Sequence, residues 1–456
     1  MFGRNMKRTS IIAISVSLLV CVNVRQAVAQ TDAKALMTLH DCMEYAVSNS
    51  TKMRILSADR NDERWQRRQA IMQLFTPNIE AETYAYNQYG RNLDPETNTY
   101  NDVTTFYNGY SLNAGITLFD GFRSINNVKM ASITAKMGVS KEQQTRDEIC
   151  LATMEAFSNV IYYAELETIL QEQVKTAQTA RDKAIRQEEL GQKSHADVMQ
   201  MESELAQRQY HLITATNQKN DAMITLKDVM FWPIGDELKI NRSIVEPVVT
   251  LASCSELAET AKTMLPQAEI ASMNRKRAEV DLKMARGSYF PTLSFNGGWS
   301  TTYYTYPGMK DYKPRSFSEQ FRNNAGEYLQ LSINIPVFDQ LRRRTALKQK
   351  KNALVRAEAE YAQTMRDIEN EVARAIDDRQ GALAAFRQAD KLAELQKEAF
   401  RLSAKQYEAG LLSAIEYQTA SQTYLNAMAE RTGALLKLRI KDSVVRYFKG
   451  EPYIDQ

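Results

Sequence analysis

The chain is poor in residues that break helices and in residues that carry out chemistry. Glycine and proline are scarce, at 17 and 10 of 456 residues, and all ten prolines lie outside residues 96–232 and 337–451. A proline inside a helix removes a hydrogen bond and clashes with the preceding turn, so two such windows favour long helices. Three histidines leave little general-base inventory. No phosphate-binding glycine loop, HExxH or GxSxG motif is present. These absences argue against an enzyme, and no cofactor is expected. Apart from the N-terminal segment, no run is apolar and long enough to approach the ~20 residues that a membrane-spanning helix needs.

The charged and hydrophobic fractions, 25% and 44%, are those of a folded protein. The N-terminus reads as an export signal. Arg4, Lys7 and Arg8 precede an apolar run over residues 11–22, and Ala27-Val28-Ala29 offers a small-x-small cleavage site. Cys21 suggests a lipid anchor as the alternative, but Val20 before it is bulky for such a site. Cleavage after Ala29 leaves 54 basic and 55 acidic residues, a balance that gives no reason to invoke nucleic acid. Cys42, Cys150 and Cys254 then remain, an odd number at wide spacing. They form neither a disulfide framework nor a CxxC zinc site.

The sequence repeats itself. Residues 188–200 and 407–419 match with Gly191 against Gly410, Ser194 against Ser413 and Asp197 against Glu416, each 219 residues on. Both stretches read as tips of helical hairpins. Leu39, Met43, Ala46 and Val47 follow helical spacing. Their counterpart lies at residues 251–263, with Cys42 and Cys254 as small hydrophobes on packed helix faces. Further helix is expected over residues 59–75 and 275–290, ending at Pro77 and Pro291.

The period then changes from helix to strand. Ile79, Ala81, Thr83 and Ala85 alternate with Glu80, Glu82, Tyr84 and Tyr86. After a polar loop over residues 91–102, Tyr110, Leu112, Ala114, Ile116 and Leu118 alternate with small polar residues. The second copy offers Leu293, Phe295, Gly297 and Trp299, a loop with Pro307-Gly308 and Pro314, and then Leu329, Leu331, Ile333, Ile335 and Val337. Such period-2 strands have one apolar and one polar face. Tyr84, Tyr86, Tyr89, Tyr107, Tyr110, Tyr303, Tyr304 and Tyr306 crowd the loop ends with Trp299, as in the aromatic girdles of membrane β-barrels. A soluble β-sandwich has the same alternation. Four strands are too few to close a membrane barrel, so the barrel reading requires several chains.

Each strand pair ends in a related phrase, Phe119-Asp120-Gly121 and Phe338-Asp339-Gln340, where Asp120 and Asp339 are placed to cap the following helix. Segments of almost 70 residues follow, about 100 Å each as helix. Leu347, Leu354, Tyr361, Ile368 and Ala375 recur every seven residues, joined by Met365 and Val372, as coiled-coil packing requires. Return helices are expected over residues 197–232 and 414–448. The domain plan is a signal (1–29), a first repeat (30–232: a helix, strand pair 78–119 and hairpin 123–232) and a linker (233–250). A second repeat (251–448: a helix, strand pair 292–338 and hairpin 341–448) and a tail (449–456) complete it.

In these features the chain resembles the TolC-like outer-membrane efflux family. The repetition, the Phe-Asp-Gly/Gln turns, Pro77 and Pro291 before each first strand, and the tips at Gly191 and Gly410 carry the resemblance over essentially the whole mature chain. The resemblance implies a fold that is mainly α with a membrane β-barrel part: a homotrimeric 12-strand β-barrel continuing into a 12-helix α-barrel. It implies an outer-membrane exit duct of a tripartite efflux pump or type I secretion system that reaches into the periplasm. Its partners would be outer-membrane lipid, a periplasmic adaptor and, through that, an inner-membrane transporter of RND or ABC type. A soluble periplasmic coiled-coil scaffold or adaptor is the competing reading.

Family members close their periplasmic entrance with the second-copy tip. By that resemblance Tyr407 matches a gate tyrosine, Glu416 the first gate acid and Asp197 the first-copy acid. Leu412 stands in place of an arginine and Thr419 in place of a second aspartate, so the usual salt-bridge latch is missing. Three copies of Glu416 would form an acidic ring favouring cations, Leu412 would add an apolar contact, and Lys193 would serve as a substitute latch to Glu416 of the neighbouring hairpin. His195 and Met199, four apart on a helix, lack a third partner for a soft metal and read as a polar tip.

Overall fold

The computed structural model describes residues 36–93, 98–243, 246–247, 253–307, 309 and 312–456. The export segment with Cys21, most of residues 244–252 and Gly308 lie outside the described residues.

The first half begins with α1 (Leu39–Asn49) and α2 (Thr51–Phe75). Thr38 caps α1 in a reciprocal box with Asp41. After Pro77 come β1 (Asn78–Gln88), a small hairpin of β2 (Arg91–Leu93) and β3 (Tyr100–Asp102), and β4 (Thr105–Phe119). Two long helices follow, α3 (Arg123–Glu189) and α4 (His195–Met230). The second half runs through α5 (Cys254–Met264), α6 (Pro266–Gly287), β5 (Thr292–Thr305), α7 (Phe317–Asn323), β6 (Gly326–Asn334), α8 (Arg342–Glu408) and α9 (Ala414–Phe448). A 3₁₀ turn at Tyr453–Asp455 ends the chain. Helices α3 and α8 each have 67 residues, about 100 Å at 1.5 Å per residue.

Asp120 and Asp339 do cap these helices, each from three residues before the first helical residue. Asp120 Oδ2 accepts from the Ser124 amide and hydroxyl, and Asp339 Oδ2 from the Arg343 amide and guanidinium. The residues between are left-handed: Gly121 and Phe122 in one turn, Gln340 and Leu341 in the other. Gly121 also has no room for a side chain, since a Cβ would lie 2.1 Å from the Gly287 carbonyl oxygen.

The four main strands form one antiparallel sheet in the order β1-β4-β5-β6. Its register puts Ala81 beside Leu112, Leu112 beside Trp299, and Phe295 beside Leu331, so one face is apolar across all four strands. Among the described residues, the outer edges of β1 and β6 have no strand partner. β1 is exposed along its whole length, and Leu329, Leu331 and Ile333 on β6 are exposed as well.

Five expectations change. The aromatic girdle divides by strand parity: Tyr110, Trp299 and Tyr303 lie on the apolar face, but Tyr84, Tyr86, Tyr107 and Tyr304 share the opposite face with Glu80 and Glu82. The loop before β6 contains α7, whose Phe317 and Phe321 pack on Tyr110, Trp299 and Tyr303. Strand β6 stops at Asn334, just short of Pro336, which has no N–H to continue the ladder. Helix α6 stops at Gly287, and its last residues before Pro291 tighten into i→i+3 bonds from Tyr289 and Phe290. Cys254 is exposed at the first position of α5, whereas Cys42 is fully buried.

The main core lies where the helices meet at mid-length. Cys42, Met43, Ala46 and Val47 of α1 pack on Ile149, Met154, Phe157 and Ile161 of α3, Leu226 and Met230 of α4, and Ile240 of the linker. Met37 pairs with Ile240, and the His40 ring bonds the Ile454 carbonyl, so linker and tail are tied into this belt. A second core joins α5 to Ile368, Val372, Ala375 and Ile376 of α8 and Val445 of α9. Leu347, Leu354, Tyr361 and Met365 of the heptad are only half-buried in a single chain.

Candidate functional site: the paired hairpin tips

Both tips use the same backbone solution. Gly191 and Gly410 have φ of +70° and +73°, with open space where a Cβ would be, so glycine is required by conformation and not by crowding. The Gln192 and Leu411 amides reach back to the carbonyls of Gln187 and Gln406, while Gly191 and Gly410 donate to Glu188 and Tyr407. This pair of bonds closes the orphan carbonyls at each helix end. Three residues beyond each glycine, Ser194 and Ser413 begin the return helices in capping boxes with Asp197 and Glu416.

The two acids singled out in the sequence therefore have a local duty. Asp197 Oδ2 accepts from the Ser194 amide and hydroxyl at 3.0 and 2.9 Å, and Glu416 Oε2 accepts from those of Ser413 at 2.9 and 2.7 Å. The Ser194 amide and hydroxyl hold the Asp197 carboxyl below its usual range, and the Ser413 hydroxyl and amide do the same for Glu416.

Side chains join the tips to each other. Lys193 Nζ donates to the Tyr407 hydroxyl at 2.9 Å and lies 4.5 Å from its ring centroid. Tyr407 stacks on Tyr417 at 4.8 Å, and its hydroxyl also reaches Met201 Sδ at 3.4 Å. Tyr407 closes a small core made by Ala184, Val198 and Met201 of the first hairpin. Gln418 links the hairpins again, accepting from Gln200 and donating to Gln207. Beneath lies a buried pair, Glu204 and Arg208, with Nη2 to Oε1 at 3.3 Å. Desolvation raises the Glu204 carboxyl, and desolvation together with Glu204 pushes the Tyr417 hydroxyl up to about 12.

Of the residues expected at the gate, Lys193 and Tyr407 meet within one chain. Glu416 and Asp197 each fold back on their own serine, and Lys193 is directed to Tyr407. Leu412 is half-buried, while Thr419 is exposed and bonds the Ile415 carbonyl. The stack of Tyr407 on Tyr417, the glutamine relay and the pair Glu204–Arg208 were not anticipated. The available signal was the exchange of Val198 for Tyr417 between the repeats, a small residue in one copy and a large one in the other. His195 pairs with Glu188 at 2.9 Å. Among the described residues, no group of three or more His, Cys, Asp or Glu is placed to hold a metal. Among them too, no helix is long and apolar enough to cross a membrane.

An open amphipathic sheet with two long hairpins is the fold of TolC-like channels. The chain matches CusC with a TM-score of 0.75 at 15% identity, over 90% of this chain and 91% of that one. For the outer membrane protein VceC of Vibrio cholerae the values are 0.71, 14%, 90% and 95%. For the MtrE outer membrane channel of Neisseria gonorrhoeae, solved in its open state, they are 0.72, 17%, 90% and 88%. At these identities the likeness is one of fold. No curated protein matches the chain by sequence. The family model for outer membrane efflux proteins matches residues 46–230 and 263–443, and the chain belongs to that family, whose members are channel proteins and not enzymes.

Proposed function

We propose that this chain is one of three identical protomers of a passive exit duct in the outer membrane, gated at its periplasmic end. The observation that carries the reading is the four-stranded sheet with two bare edges and one apolar face. Unpaired edge groups and exposed Leu and Ile are costly in water, and a closed barrel in lipid removes both costs. With four strands alternating in direction, β6 of one copy runs antiparallel to β1 of the next, so three copies close a 12-strand ring without a parallel seam. The helices supply a second set of complementary surfaces. Tyr210 and Ile213 on α4, and Leu392 and Leu395 on α8, are exposed on the outer helices of the protomer at similar distances from their tips. In the ring they pack against each other and extend the barrel as a 12-helix tunnel.

The tips form the entrance. Leu190, Leu411 and Ile415 are exposed there, as a surface for a periplasmic adaptor that couples the duct to an RND- or ABC-type inner-membrane transporter. Clasping the two hairpins through Lys193, Tyr407 and Tyr417 keeps the entrance narrow, with Leu412 an apolar contact and three copies of Glu416 an acidic ring. A latch from Lys193 to Glu416 would require both side chains to leave their present partners. The deciding experiment is extraction from outer membranes followed by light scattering in detergent. A species of three protomers is expected. A detergent-independent soluble monomer would favour the scaffold alternative and refute the duct.

A further inference from the structure

The face of the sheet opposite the apolar one carries a row of tyrosines. Tyr86 of β1, Tyr107 of β4 and Tyr304 of β5 are successive partners on one rung. Their ring centroids are 5.2 and 6.3 Å apart, and Tyr84 stacks on Tyr86 at 5.9 Å. Glycines on neighbouring strands let rings lie down along the sheet. A Cβ on Gly109, the partner of Tyr84, would fall 2.3 Å from the Tyr84 ring, and one on Gly298 would fall 2.5 Å from the Tyr328 ring. A ring laid flat on a glycine turns its other π-face away from the sheet. Tyr84 and Tyr86 are 46% and 47% exposed whereas Tyr304 is buried, so the open part of the row is its β1 end.

Charge on this face has one sign. The four strands contain no lysine or arginine. Glu82 and Glu80 are exposed on the same face as the tyrosines, one and two steps along that face below Tyr84, whereas Glu327 pairs with Trp299 on the other face. Ring faces are negative in their quadrupole and bind weakly hydrated cations, most effectively quaternary ammonium groups. Strongly hydrated inorganic cations gain less, and anions meet no positive side chain on the four strands.

We propose that this face is a transit site for organic cations, of the quaternary or aromatic ammonium class, at the loop end of the duct. The proposal rests on the reading above, in which this face lines the lumen. Three copies set a collar of tyrosines above a belt of Glu80 and Glu82. The carboxylates raise the local concentration of cations, and the rings hold the organic ones briefly as they leave.

The full-length protein in a planar bilayer tests this, with benzyltrimethylammonium as the probe and sodium at equal concentration as the control. Benzyltrimethylammonium should reduce single-channel conductance where sodium does not. Replacing both Tyr86→Leu and Tyr107→Leu should weaken that block about fivefold or more, while Tyr86→Phe with Tyr107→Phe should leave it within about twofold. Glu80→Gln with Glu82→Gln should weaken it mainly at low salt. Wild-type channels that conduct without block overturn the proposal and leave the duct standing, as does a leucine pair that blocks like the wild type. A wild-type protein that never conducts overturns the duct reading and this proposal with it.

Discussion

Equivalent positions in the two hairpins, 219 residues apart, treat charge in opposite ways. At mid-height of the second hairpin Arg379 of α8 meets Asp442 of α9 at 3.5 Å, both buried. The matching residues of the first hairpin are Val160, buried in the apolar core, and Met223, partly buried and packed against it. Nearer the tips the pattern reverses. The first hairpin buries Glu204 and Arg208, and the second has Thr423 and a buried Ala427 there. The tips themselves keep one design, Gly191 and Ser194 against Gly410 and Ser413. Where the backbone has one task, the residue type is held. Where the helices meet different neighbours, the halves have separated. A buried pair at only one of two equivalent levels makes similar hairpins distinguishable, a role that polar groups in helical cores can serve.

The largest effect should come from breaking that contrast in the second hairpin. Asp442→Met copies the first half but leaves the Arg379 guanidinium buried, and its Nε already has no partner. A loss of about 3–5 kcal/mol is expected, read as a lower thermal midpoint of helix circular dichroism. Arg379→Val with Asp442→Met copies both residues of the first half and should recover most of the loss. If the double variant is as unstable as the single one, the pair does not act as a unit.

The strand-to-helix turns give a smaller effect of opposite sign in the two halves. Gly121 is left-handed and crowded by the Gly287 carbonyl, and Gln340 is left-handed at φ +56° without being a glycine. Gly121→Ala should destabilise by about 2 kcal/mol or more, since both the dihedral and the clash oppose it. Gln340→Gly should stabilise by about 0.5–1 kcal/mol through relief of the dihedral alone. Equal responses in the same direction would mean that the two turns do not share a conformation.

The sequence made some of this visible and hid the rest for identifiable reasons. Prolines at 77 and 291, glycines at 191 and 410 and the heptad through Ile368 mark local conformations: the helices before the prolines end within four residues of them, although they begin at Thr51 and Pro266, well before the expected 59 and 275. Parity was also legible: Tyr84 and Tyr86 keep step with Glu80 and Glu82, so their place on the polar face followed from alternation. Nearness to the loop joins them to Tyr110 and Trp299, but the period separates them. Helix α7 was hidden because its stability is tertiary. Gln320 is buried where β6 no longer reaches, accepting from the Tyr304 amide and donating to its carbonyl, as a strand partner would. The partners of Lys193 and Tyr407 were hidden too, because no pattern along the chain specifies which residues two hairpins bring together.

The smallest expected effect separates the two tip acids, which have the same local role. Asp197 and Glu416 each hold a serine cap with a carboxyl whose pKa is lowered by the bonds it accepts. A lowered folded pKa gives stability that is complete above the ordinary carboxylate range and is lost as pH falls through the folded value. Acid should therefore loosen both tips alike, with faster amide exchange at residues 194–200 and 413–419. Asp197→Asn and Glu416→Gln keep an acceptor at the cap and should change the thermal midpoint only slightly. Ion selectivity should tell them apart. If three Glu416 side chains ring the entrance, Glu416→Gln lowers the preference of bilayer channels for cations, and Asp197→Asn leaves more of it. Equal selectivity in Glu416→Gln and wild type would reduce Glu416 to a capping residue. The entrance would then be governed by the clasp of Lys193, Tyr407 and Tyr417 alone.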